Sequence, residues 1–122
     1  MTPAAFYRAF PMSARTLCSE PVVAWAHLHG HQPLRPLAQL LLWRKNDVTT
    51  CAALVAARWG LDEIAPEDAS IGDIGVVDCI NDGAMDRIIG LSMGSFFVIG
   101  GFGEVRIGRF PIKRAWRMIC RP

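Results

Sequence analysis

The stretch Gly72-Asp73-Ile74-Gly75-Val76-Val77-Asp78-Cys79-Ile80-Asn81-Asp82-Gly83 is where the chain changes period. Before it, apolar residues recur at helical spacing. From Gly72 onward they run in short extended blocks broken by glycines. Ile74 to Ile80 reads as a buried strand with little polar alternation. Asn81-Asp82-Gly83 is a strong hairpin signal, because these residues accept the left-handed backbone of a tight turn. It makes Arg87 to Met93 the partner strand. Gly94-Ser95 turns into Phe96 to Ile99, and Gly100-Gly101 with Gly103 lead into Glu104 to Ile107. A last strand is expected over Arg114 to Cys120, with Trp116, Met118 and Cys120 on one face and Arg117 and Arg121 on the other.

Upstream the pattern is helical. About Ser19 to His29, Val22, Trp25, Ala26 and His29 share a stripe, and Gly30 is a natural stop. Pro36 opens a second helix through Leu37, Leu40 and Leu41 to near Lys45. Asp47 caps a third, whose stripe of Val48, Cys51, Ala52, Val55 and Trp59 ends at Gly60. Glu63 to Ser70, with Glu67 and Asp68, reads as an acidic, proline-containing loop. Met1 to Arg15 is an arm or short helix whose Phe6, Tyr7 and Phe10 need something to pack on. Helices followed by antiparallel strands make an α+β domain, its N-terminal helices packed on a small, strongly curved antiparallel sheet. We divide the single domain, 1–122, into an arm (1–16), a helical half (17–60) and a strand half (72–120).

The 122 residues are 52% hydrophobic and 20% charged, which fits an ordered core and excludes disorder. A net charge of +2 does not argue for nucleic acid. The longest uncharged run, Ile88 to Gly103, is 16 residues with five glycines, so no membrane span is expected. The N-terminus shows no secretory pattern. Cys18, Cys51, Cys79 and Cys120 are widely spaced without a CxxC pair, so neither zinc nor a disulfide scaffold is expected. All four should be reduced, at least three of them buried as small hydrophobes. No cofactor motif is present; Gly100-Gly101-Phe102-Gly103 lacks the following helix of a phosphate loop.

Cys18 carries the chemical interest. It stands at a helix entrance, where Ser19 can cap, Glu20 suits the positive end and Pro21 tolerates the first turn. Unpaired N–H groups there favour a thiolate. A cysteine nucleophile also needs a base, and the expected strands contain no histidine. His27, His29 and His31 trail Cys18 along the helix by about 13 Å or more. His27 and His31 could share a helical face and bind a metal, but Gly30 ends the helix between them. Cys51 is a second candidate nucleophile, although it lies on an apolar stripe. Asp73 reads either as a catalytic orienter or as a turn residue holding local N–H groups. After Glu104 come Arg106, Arg109, Lys113, Arg114, Arg117 and Arg121 with no acidic residue. They form either a solvated face or a docking strip for an acidic protein surface; no nucleic-acid motif accompanies them.

Assembled, these residues resemble the NlpC-type branch of the papain-like cysteine peptidases. Ala69-Ser70-Ile71-Gly72-Asp73-Ile74-Gly75-Val76-Val77 matches their Gly-Asp strand. A small branch from tail-gene clusters of tailed phages and prophages is closer. Its features are a Cys-helix ending Gly-x-x-Pro (Gly30-His31-Gln32-Pro33) and a Gly-containing second strand (Ile89-Gly90-Leu91, then Gly94). A closing Ala-Trp-Arg (Ala115-Trp116-Arg117) completes them, and the match runs from about Leu17 to Met118. Two positions depart: the Asp-Cys dipeptide is Leu17-Cys18, and the strand that begins with the catalytic histidine reads Arg87-Ile88-Ile89-Gly90-Leu91, so the base position falls on Arg87 or a neighbour. A guanidinium cannot accept a proton at neutral pH. The resemblance implies a degenerate domain serving as a structural component of a phage tail tip, made in the host cytoplasm and carried in the virion beside hub proteins. Phe6, Tyr7, Phe10, Arg109, Lys113, Arg114 and Arg117 are its expected contact residues. Two alternatives stand beside it: an active amidase or endopeptidase on peptidoglycan with Cys18 as nucleophile, and a tail assembly chaperone.

Overall fold

The computed structural model describes residues 1–120. Four helices come first: α1 (Pro3–Ala9), α2 (Ser19–Leu28), α3 (Pro36–Lys45) and α4 (Val48–Arg58). Six strands follow: β1 (Glu63–Ile64), β2 (Ile74–Asn81), β3 (Ala84–Ser92), β4 (Phe97–Gly101), β5 (Glu104–Gly108) and β6 (Ile112–Trp116). They form one antiparallel sheet in the order β1-β6-β2-β3-β4-β5. The α+β reading therefore holds. No helix among the described residues is long and apolar enough to cross a membrane.

Local chemistry sets the element ends. Thr2 caps α1 by accepting the Ala5 N–H, and Asp47 caps α4 by accepting the Thr50 N–H at 2.8 Å. Gly30 and Gly60 take left-handed φ just past α2 and α4, as helix stops require. The hairpin turn is Asp82-Gly83, both at positive φ, closed by the pair Asn81 and Ala84. A two-residue turn leaves no slack, so β3 begins at Ala84 rather than Arg87.

Three expectations change. Glu63–Ile64 is not loop: it pairs with Trp116 and Ala115, and a short 3-10 helix (Pro66–Asp68) follows. The last strand starts at Ile112 and ends at Trp116. Met118 to Cys120 leave the sheet because their partners lie elsewhere: Met118 N–H donates to Asp73, and the Ile119 carbonyl faces His31. Arg121 lies outside the described residues. Finally, only Cys51 and Cys79 are buried; Cys18 is half-buried and Cys120 exposed.

The sheet has to curl. β5 and β6 lie four strand spacings apart in sheet order, about 19 Å if flat, yet only Arg109 to Pro111 join them, a reach of about 14 Å. Curling gives the sheet two apolar faces. Ile74, Val76, Ile89, Leu91, Val98 and Trp116 pack on Tyr7, Val22, Trp25, Ala52, Ala56 and Trp59 from the helices. Inside the curve, Val77, Cys79, Phe97 and Ile99 cluster with Ile88, Phe110 and Ile112. Burial on both faces explains why β2 shows so little polar alternation.

Candidate functional site

Cys18 is the residue that caps α2, and its side chain makes no capping hydrogen bond. Leu17, just before the cap, is tied to the first turn twice: its carbonyl accepts from the Glu20 N–H at 3.0 Å, and its N–H donates to the Glu20 carboxylate. Ser19 does not cap; its hydroxyl donates to Gln39 Oε1 at 2.5 Å, and Gln39 Nε2 donates to the Leu34 carbonyl at 2.8 Å. These bonds fasten the start of α2 to α3. The other side is held by β4 and its turn. Phe102 N–H donates to the Thr16 carbonyl at 2.7 Å. Gly101 passes so close that a Cβ there would stand 2.8 Å from the Cys18 sulfur. A glycine is therefore required for the thiol to sit where it does.

Cys18 lies between two clefts, of about 330 and 500 Å³, and Asp86, Ile88 and Phe102 border both. Phe102 is 60% exposed and sits at φ +53°, a strained setting for an aromatic residue. β3 thus turns Asp86 and Ile88 toward both clefts. Arg87, the expected base position, borders only the larger one and is ion-paired with Asp78 at 3.1 Å.

The electrostatics oppose a thiolate. Burial, and next the Asp86 charge and Cys79, push the Cys18 thiol up to about 11. At neutral pH about one molecule in ten thousand would carry the anion. The helix entrance fails to win because the sulfur is partly withdrawn from water and feels the Asp86 carboxylate. Tyr7 stands near enough to feel Cys18; burial first, and that thiol second, raise its phenol.

The imidazoles are elsewhere. His27 Nδ1 lies 3.2 Å from the His31 carbonyl, and His31 Nε2 lies 2.5 Å from the Ile119 carbonyl, so ring nitrogens of both are engaged at the far end of α2. His29 stacks by Trp25 and lies 3.4 Å from the Cys120 sulfur. Cys51 is fully buried and donates toward the Leu42 and Asn46 carbonyls, a packing thiol. Asp73 is 3% exposed and accepts from the Ser70 and Met118 amides at 2.9 Å each; Arg117 Nε stands 3.2 Å away.

The expected contact residues divide. Tyr7 is fully buried and belongs to the core, while Phe6 packs edge-on against Trp25 and tilted against Phe10. Arg114 forks onto Glu63 at 2.5 and 2.9 Å, Lys113 meets Asp78 at 3.3 Å, and Arg117 is spent on Asp73. Arg109 stacks over the Phe96 ring at 5.0 Å. Much of the basic strip is thus neutralised within the chain. The sequence reading missed Asp86 and Phe102; the positive φ of Phe102 follows from the two-residue turn it forms with Gly103, a countable signal.

The thiol is expected to be slow. At pH 7.4, iodoacetamide should label exposed Cys120 long before Cys18, and the Cys18 rate should climb about tenfold per pH unit toward pH 11. Peptide mass spectrometry reads both sites; equal rates at pH 7.4 would establish an activated Cys18.

No family model, curated protein or solved structure matches this chain.

Proposed function

We propose that this chain is an NlpC-like domain without turnover that serves as a structural part of a phage tail tip, among hub proteins and within the virion. One observation carries the reading: the β3 residues lining the clefts beside Cys18 are Asp86, Arg87 and Ile88, and none can do the work of an imidazole. Hydrolysis of an amide needs a group that takes the thiol proton and returns it to the leaving amine. Asp86 instead repels the thiolate it would have to create. The helix mouth, the curved sheet and the Gly72-Asp73 strand start agree with the family outline; the phage setting rests on the sequence resemblance.

The test is the particle itself. Mass spectrometry of purified virions should find the chain, and Cys18→Ala particles should assemble and infect at the parental level. A chain needed for assembly yet missing from particles would make it a chaperone. Cys18→Ala particles that assemble normally but release no muropeptides and fail at entry would make it an enzyme.

A further inference from the structure

The sheet has one open edge. β1, at one side, is two residues long and offers little to pair with. β5, at the other, is five residues long, and among the described residues no strand lies beyond it. Phe102 and Gly103, at φ +53° and +87°, form a type I′ turn closed by Gly101 and Glu104. In such a hairpin the closing pair is hydrogen-bonded, and bonding alternates from there. Glu104, Arg106 and Gly108 therefore bond to β4, while the amides and carbonyls of Val105 and Ile107 point away from it. Among the described residues nothing bonds to those four groups.

Charge says what fits. Lys113, Arg114 and Arg117 each meet a carboxylate. Among the described residues Arg106 and Arg109 do not: Arg106 donates to the Ile80 carbonyl and lies over Phe110, and Arg109 lies over Phe96. Ile107, 43% exposed, adds apolar surface beside them. A second copy fits poorly. The antiparallel register that uses all four outward groups sets Val105 opposite Ile107 and Arg106 opposite Arg106, like charges at the closest pairing. Sliding until Glu104 meets Arg106 places Ile107 opposite turn residue Gly103 and halves the bonding.

We infer that the β5 edge is a docking site for an extended, acidic segment of a partner protein, which adds a strand to the sheet with a carboxylate opposite Arg106. Main-chain bonds to Val105 and Ile107 hold the segment, and the two arginines choose it. This extends the structural reading above but rests on strand pairing and charge alone. Absence from virions would remove the phage setting and leave the edge untouched.

Amide hydrogen exchange on the full chain tests it, with two synthetic octapeptides as probes: one alternating valine and glutamate, one alternating valine and lysine. In the free protein the Val105 and Ile107 amides should exchange fast and those of Glu104, Arg106 and Gly108 slowly. The acidic peptide should slow Val105 and Ile107 by at least about tenfold and the basic one should not. Arg106→Glu should invert that preference. Val105→Pro removes an outward N–H without touching the β4 ladder, and should abolish peptide protection at Ile107. Slow exchange at Glu104 and Gly108 certifies that each variant is folded; if one is not, the two-peptide comparison on the parent chain decides. Slow Val105 and Ile107 amides in the free monomer, equal protection by both peptides or by neither, or protection that grows with protein concentration alone would each overturn the proposal. The last would assign the edge to a second copy.

Discussion

Tyr7→Ala is expected to cost about 3–5 kcal/mol, whereas Tyr7→Phe should leave stability unchanged or raise it. The pair separates what the ring does from what its hydroxyl does. The ring is fully buried, packed with Val22, Trp25 and Val98 where α1 meets the sheet. Removing it leaves a cavity beside Gly100, where a Cβ would stand 3.0 Å from the ring and glycine has no side chain to fill the space. The hydroxyl is different: it is buried and has no hydrogen-bond partner among the described residues. A buried, unpaired hydroxyl opposes folding by about 1–3 kcal/mol, so its deletion removes a cost. Urea unfolding of the three proteins measures both effects. A Tyr7→Phe loss above about 1 kcal/mol would mean that the hydroxyl is bonded after all. The loss in Tyr7→Ala is a large share of a small domain's stability, and some of the chain should be unfolded at 37 °C.

Asp73→Ala should be the next largest, a loss of about 3 kcal/mol, with Asp73→Asn recovering about half of it. The carboxylate is nearly inaccessible and closes a knot of chain: Ser70 N–H on one oxygen, Met118 N–H on the other. Alanine leaves both amides without their acceptor at a part-buried site. Asparagine keeps one acceptor but turns a second donor on the other amide. Arg117 contributes less, because it is 45% exposed and water replaces the carboxylate readily. Thermal unfolding of the two variants reads the difference. Should Asp73→Ala melt with the parent while Asp73→Asn alters the Cys18 alkylation rate, the residue would belong to the thiol's machinery and not to the clasp.

What was legible and what was not follows from the range of each interaction. Helix limits were readable because Pro36, Asp47, Gly30 and Gly60 act on their immediate neighbours. The first hairpin was readable because Asp82-Gly83 fixes it locally. Glu63–Ile64 carries no strand pattern; it becomes a strand only because β6 arrives 51 residues later, with Arg114 forking onto Glu63. The alternation of Trp116, Met118 and Cys120 imitates a strand, yet Asp73 and His31 draw that segment off the sheet. At the candidate site, Cys18 itself was legible from Glu20 and Pro21. What faces it was not. In a strand a shift of one residue exchanges the faces, so naming Arg87 in place of Asp86 or Ile88 changes the chemistry while scarcely changing the alignment.

The place of β6 between β1 and β2 has a consequence for synthesis. The sheet's longest hairpin, β2 with β3, is complete by Ser92, but one side of β2 waits bare for Ile112–Trp116. While β6 is still inside the ribosome tunnel, a nascent chain carries a sticky flank on β2. Products truncated before Ile112 would keep the flank for good, so β6 is the latch that covers β2.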